Sequence, residues 1–172
     1  GALSAVAARL AQHHAGVFNE ALPAFGILST RWYEAAPIHE LLDAIAATGD
    51  APRAAYEGGR FTTERTLSGI FRAAFRLMAT PERYARHAQK LWSNYYDTGE
   101  FVVHPQPAGN TTEIRRWSTH HPVLCQINVA AAEVIYERMG ERGVRAERTA
   151  CIAHGDAACR YEVRWDAPGR GG

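Results

Sequence analysis

Apolar residues recur at helical spacing along the chain as far as Gly99, and strand-like alternation takes over beyond it. Leu3, Val6, Ala7, Leu10 and Ala11 repeat every three to four residues, and Phe18 and Leu22 continue the apolar run to Pro23. Trp32 to Pro37 reads as a loop. Ile38, Leu41, Leu42 and Ile45 predict an amphipathic helix stopped by Gly49-Asp50 ahead of Pro52. Gly58-Gly59 with Thr62-Thr63 predicts a turn and a cap, followed by a helix carrying Leu67, Ile70, Phe71, Ala74, Phe75 and Met78. Thr80-Pro81 is a strong helix start. The threonine hydroxyl can accept from an orphan N–H, and proline at the first position has no N–H to lose. That helix holds Tyr84, His87, Ala88, Leu91, Trp92 and Tyr95 and is expected to end near Gly99.

Glu100 to His104 then predicts a strand, Pro105 to Asn110 a turn-rich loop, and Thr111 to Trp117 a returning strand. A long helix follows from Pro122 to Met139, with Leu124, Ile127, Ala131, Val134 and Ile135 on its buried face and Gly140 and Gly143 closing it. Val144 to Ile152 and Cys159 to Trp165 predict a final hairpin. This order predicts one α+β domain over residues 1–166, helices packed on a small antiparallel sheet, with 167–172 as a disordered tail.

The hairpin register can be worked out from the pattern. A two-residue turn at Gly155-Asp156 pairs Ile152 with Cys159, Ala150 with Tyr161, Arg148 with Val163 and Ala146 with Trp165. It leaves Cys151, Thr149 and Glu147 on the opposite, charged face. That register puts Cys151 and Cys159 on opposite faces, so no disulfide is expected between them.

Composition narrows the function classes. A net charge of +1 over 172 residues gives no general attraction to nucleic acid or to a membrane surface. No apolar run is long enough to span a bilayer, and the first residues lack the pattern of a signal peptide. The missing initiator Met makes a trimmed segment the expectation. Three cysteines, an odd number, favour a reducing compartment, and a cytoplasmic location is expected. Enzyme motifs such as Gly-x-Ser-x-Gly, a phosphate-binding glycine loop or His-Glu-x-x-His are absent, and no enzymatic activity is expected.

The chemistry concentrates near the end, in Cys151-Ile-Ala-His-Gly-Asp-Ala-Ala-Cys159-Arg-Tyr-Glu-Val-Arg-Trp165 together with Cys125. This grouping resembles the C-terminal signature of the 4-vinyl reductase superfamily, small-molecule sensor and binding modules related in fold to haem-based nitric oxide sensors and to vesicle-tethering subunits. The Trp32-Tyr33…His39 segment, the Thr80-Pro81 helix to Trp92…Tyr96…Gly99 and the closing Cys-x7-Cys-x-Tyr-x-Val-x-Trp also resemble a family of similar length expanded in myxobacteria.

In phenol-sensing members of the superfamily three cysteines at similar spacing help hold a structural zinc. The resemblance therefore implies Cys125, Cys151 and Cys159 as ligands, provided the first strand of the hairpin ends before Cys151. Zinc wants a fourth donor. Those relatives carry an acidic residue three positions before the middle cysteine, where this chain has Arg148; Glu147 is the expected substitute and His154 another. The alternative is that the cysteines are simply small buried apolar residues.

Histidine pairs His13-His14 and His120-His121 are poor joint ligands, because neighbouring side chains diverge. A haem would need a histidine in a large apolar slot; His87 comes nearest, and haem is not expected. Phe71, Phe75, Tyr84, Trp92, Tyr95, Tyr96, Phe101 and Trp117 crowd one stretch and predict either a solid aromatic core or a small-molecule pocket. On the pocket reading Phe71, Phe75, His87, Trp92, Tyr95, Tyr96 and Trp117 bind an apolar or aromatic effector. The phenol-sensing relatives grip the ligand hydroxyl with a histidine and a tryptophan, matched here by chain order to His87 and Trp92 or Trp117. The expected function is thus a sensory module, with an assembly module without a ligand or a haem-binding gas sensor as the alternatives. Ala2, Ala5, Ala7, Ala8, Ala11 and Ala15 give the first helix excess apolar surface, which predicts a homodimer.

Overall fold

The computed structural model describes residues 31–47, 50–68 and 80–167, together with 8, 10, 12, 13, 19, 21, 22 and 26–28. The architecture is α+β: helices packed on a four-stranded antiparallel sheet whose last two strands form a C-terminal hairpin. The chain divides into two compact units, Gly1–Ala54 and Ala55–Gly172. In the first, helix α1 (Ala35–Ala46) buries Pro37 and Leu42, and His13 Nδ1 lies 2.8 Å from Glu40. The expected first helix falls largely outside the described residues, as do Phe71 and Phe75.

Helix α2 (Ala51–Ser68) runs without a break through Gly58-Gly59, where the local pattern predicts a turn. Packing overrides that signal. A Cβ on Gly59 would stand 2.9 Å from the Ile127 carbonyl oxygen and 3.0 Å from the Ala130 Cβ, so glycine is what lets two helices touch there. Helix α3 (Pro81–Trp92) starts as the sequence predicts, with the Arg83 N–H donating to the Thr80 hydroxyl, and it ends at Trp92, well short of Gly99.

Strands β1 (Glu100–Gln106) and β2 (Gly109–Arg115) form a tight hairpin. Helix α4 (Pro122–Met139) follows, capped at its start by His121 and closed by Gly140 in the left-handed conformation, φ 102°. Its buried face differs from the one the periodicity predicts: of Leu124, Ile127, Ala131, Val134 and Ile135 only Val134 is buried, and the other four are half-buried. Val123, Cys125, Val129, Ala130, Glu133, Val134 and Tyr136 are all buried, because α4 lies on the sheet and is crossed by α2 as well. Buried Glu133 fastens that crossing: it accepts from the Tyr56 hydroxyl on α2 and from the Ala146 N–H at 2.9 Å.

Strands β3 (Arg145–Ala150) and β4 (Ala158–Arg164) complete the sheet in the order β1-β2-β4-β3. The expected register of this hairpin is corrected. Ala146 pairs with Val163 and Arg148 with Tyr161, two residues away from the two-residue-turn alignment, and a bulge at Thr149 brings Ala150 opposite Arg160. The connection is longer than two residues. It contains a short 3-10 turn, Ile152–His154, closed by Gly155 at φ 92° and held by the Cys151 N–H donating to Asp156 at 2.8 Å. A shift of two preserves which face each strand residue occupies. The bulge reverses that parity for the residues beyond it, so Cys151 comes to the same side as Cys159 and not the opposite one.

Candidate metal centre

Four side chains from four places in the chain meet under α4. Cys125 lies in the first turn of that helix. Cys151 follows the last residue of β3, and Cys159 is the second residue of β4. The fourth is His120, in the loop between β2 and α4. That loop begins at Arg116, the one non-glycine described residue with positive φ, 52°; beyond it Trp117 is buried and His120 half-buried. Adjacent His121 acts as the helix cap, its Nδ1 accepting the Val123 N–H at 3.2 Å. The divergence of neighbouring histidines is thus no obstacle, since one serves the helix and the other the thiols.

All three thiols are free and fully buried. Cys125 Sγ is 3.5 Å from Cys159 Sγ and 3.8 Å from Cys151 Sγ, while His120 Nε2 is 3.1 Å from Cys125 Sγ and 3.6 Å from Cys151 Sγ. The four donor atoms lie within 4.8 Å of one another. A tetrahedral site with metal–sulfur bonds near 2.3 Å has sulfur–sulfur edges of about 3.8 Å, so a metal ion could be held at these spacings. They are also wider than a disulfide. The donor set is soft and closed, three sulfurs and one imidazole with no place left for substrate, which suits a structural ion over a catalytic one.

The electrostatics of the cluster follow its hydrogen bonds. Cys125 donates to Cys159 and is buried, which pushes its thiol up to about 12. Cys159 accepts that bond and is lowered, and burial raises Cys151. A divalent cation would replace the shared protons, and the positive end of α4 favours charge on Cys125.

Glu147, the expected fourth ligand, stands on the outward face of β3 opposite Glu162 and is exposed, and His154 is exposed on the 3-10 turn. Neither belongs to the cluster; strand alternation carries the Glu147 side chain away from it. His120 takes that place. Its only sequence signal is a position five residues before Cys125.

The aromatic residues divide. Trp92 stacks on Tyr96 at 4.1 Å and on Phe101 at 5.2 Å between ring centres, and meets Trp117 edge-on at 4.9 Å. Trp92 and Trp117 are buried. Trp117 in turn meets the His120 ring edge-on at 5.1 Å, so this stack abuts the thiol cluster. His87 and Tyr95 are exposed and belong to neither group.

His87 and His104 are exposed, His121 caps α4, and His120 faces thiols. None of these places a ring nitrogen in an apolar slot of porphyrin size.

No family model and no curated protein matches the sequence. Among solved structures the chain is similar to H-NOX domains. An H-NOX domain from Shewanella oneidensis in the Fe(II)CO ligation state is 10% identical, with 96% of this chain and 90% of that one covered and a TM-score of 0.63. Unliganded Fe(II) H-NOX from K. algicida is 10% identical, with 98% and 90% covered and a TM-score of 0.62. A trafficking protein particle complex subunit 3 from Naegleria fowleri, covalently bound to palmitic acid, is a weaker likeness: 14% identical, 78% and 84% covered, TM-score 0.45. At these identities the likeness is one of fold. Among the described residues no helix is long and apolar enough to cross a membrane.

Proposed function

We propose that this chain is a sensory module on an H-NOX-like fold, in which a structural zinc ion held by His120, Cys125, Cys151 and Cys159 ties the C-terminal hairpin to helix α4. The observation that carries the reading is the cage itself: four soft donors, within 4.8 Å of one another, drawn from separate elements. One cation can satisfy three buried thiols and a half-buried imidazole together. Zinc does so for three thiolates and an imidazole, and its tetrahedral preference matches the spacings.

The fold supports a sensory role, since H-NOX domains that hold Fe(II) and its diatomic ligands share it. A small apolar or aromatic effector, a homodimer and a cytoplasmic setting belong to the same proposal.

Purified, tag-free protein analysed for metals is expected to carry about one equivalent of zinc per chain. Less than about a tenth of an equivalent, in protein purified without chelator and after zinc is offered, would remove the proposal.

A further inference from the structure

Two buried polar groups in the core cluster that holds the three cysteines, the Trp117 indole N–H and the Tyr161 hydroxyl, make no hydrogen bond among the described residues. Tyr161 is 3% exposed, and its hydroxyl makes no hydrogen bond among the described residues. Losing such a partner costs about 1–3 kcal/mol, so an orphaned phenol in a dry core calls for an explanation. Its position supplies one. Tyr161 follows Cys159 by two residues on β4 and so shares its face, and it packs in the same core cluster as Cys125, Cys151 and Trp117. The Tyr161 and Cys125 side chains are neighbours in that cluster. A thiol already donating to Cys159 is a poor acceptor. A zinc-bound thiolate is a strong one.

We propose that Tyr161 is a positioning residue of the metal centre, its phenol O–H donating to the Cys125 thiolate once the ion has displaced the thiol proton. The inference rests on the zinc reading above and adds to it a partner outside the four ligands. Such outer donors orient a ligand and tune its charge. Here the bond would satisfy the orphan hydroxyl and temper the charge on the sulfur at the helix start.

Tyr161→Phe deletes a single oxygen and leaves the ring's packing intact. In competition with a chromophoric chelator, the variant is expected to bind zinc about tenfold more weakly than the parent. With cobalt(II) in place of zinc, its sulfur-to-metal charge-transfer band should move to lower energy, because the thiolate loses a hydrogen bond and becomes a better electron donor. A merely structural role would not move that band. Should the variant misfold, the parent answers the question: zinc loading is expected to give Tyr161 a slowly exchanging hydroxyl proton in its NMR spectrum. A parent that binds no zinc overturns the metal centre itself. A parent that binds zinc, with unchanged affinity and band in a folded Tyr161→Phe or no protected hydroxyl proton, overturns this inference alone.

Discussion

Glu113 shows how a single side chain can look like a site and be something plainer. It lies on the outward face of β2, only 8% exposed, and accepts from Arg115 Nε at 2.8 Å and from Arg160 Nη2 at 2.7 Å. Arg115 first, then Arg160, holds its carboxyl below the ordinary value of 4.5. A depressed folded value means the contribution is fully present above 4.5 and fades as pH falls through the folded value. Both arginines are half-exposed, at 52% and 50%, so the effect is about 1 kcal/mol or less. Urea titrations between about pH 5 and pH 3 should show the parent losing more stability than Glu113→Gln; parallel losses would contradict the pairing. The four residues of the cluster are unevenly legible in the sequence. Cys125, Cys151 and Cys159 stand out by type and spacing. The outward placement of Glu147 is readable too, since strand parity alone sets it on the charged face. His120 is not, because its place beside the thiols depends on the left-handed Arg116 and on which of two adjacent histidines caps α4.

Among the elements, the strands and α4 are predictable because their signals are local: alternation, a cap, a closing glycine. Helix α2 is not, because Gly59 serves a partner distant in sequence. The two neighbouring glycines give opposite tests. A Cβ at Gly58 meets nothing within 4 Å, so Gly58→Ala should stabilise by about 0.5–1 kcal/mol through helix propensity. At Gly59 the new methyl meets backbone on α4, so Gly59→Ala should cost about 1–3 kcal/mol despite the same gain in propensity. Thermal melts that moved both variants in one direction would contradict the close crossing. The final hairpin carries the same lesson. Its faces are written in the alternation, but the bulge at Thr149 and the 3-10 turn after Cys151 have no periodic signal, and they are what bring the sulfurs together.

For the molecule as a whole, the proposed ion joins the loop after β2, the start of α4, the end of β3 and the start of β4. Its removal should therefore be felt well beyond the four ligands. A ligand that binds only the folded state stabilises it by mass action, so chelation should lower the midpoint of thermal unfolding and zinc should restore it. The proposal stands or falls on which atoms bind the ion, and zinc-edge X-ray absorption on the purified protein reads those atoms. Three sulfurs at about 2.3 Å and one nitrogen at about 2.0–2.1 Å are expected, with the nitrogen lost in His120→Ala. A carboxylate oxygen in place of the imidazole, fewer than three sulfurs, or a shell unchanged in His120→Ala would contradict the assignment.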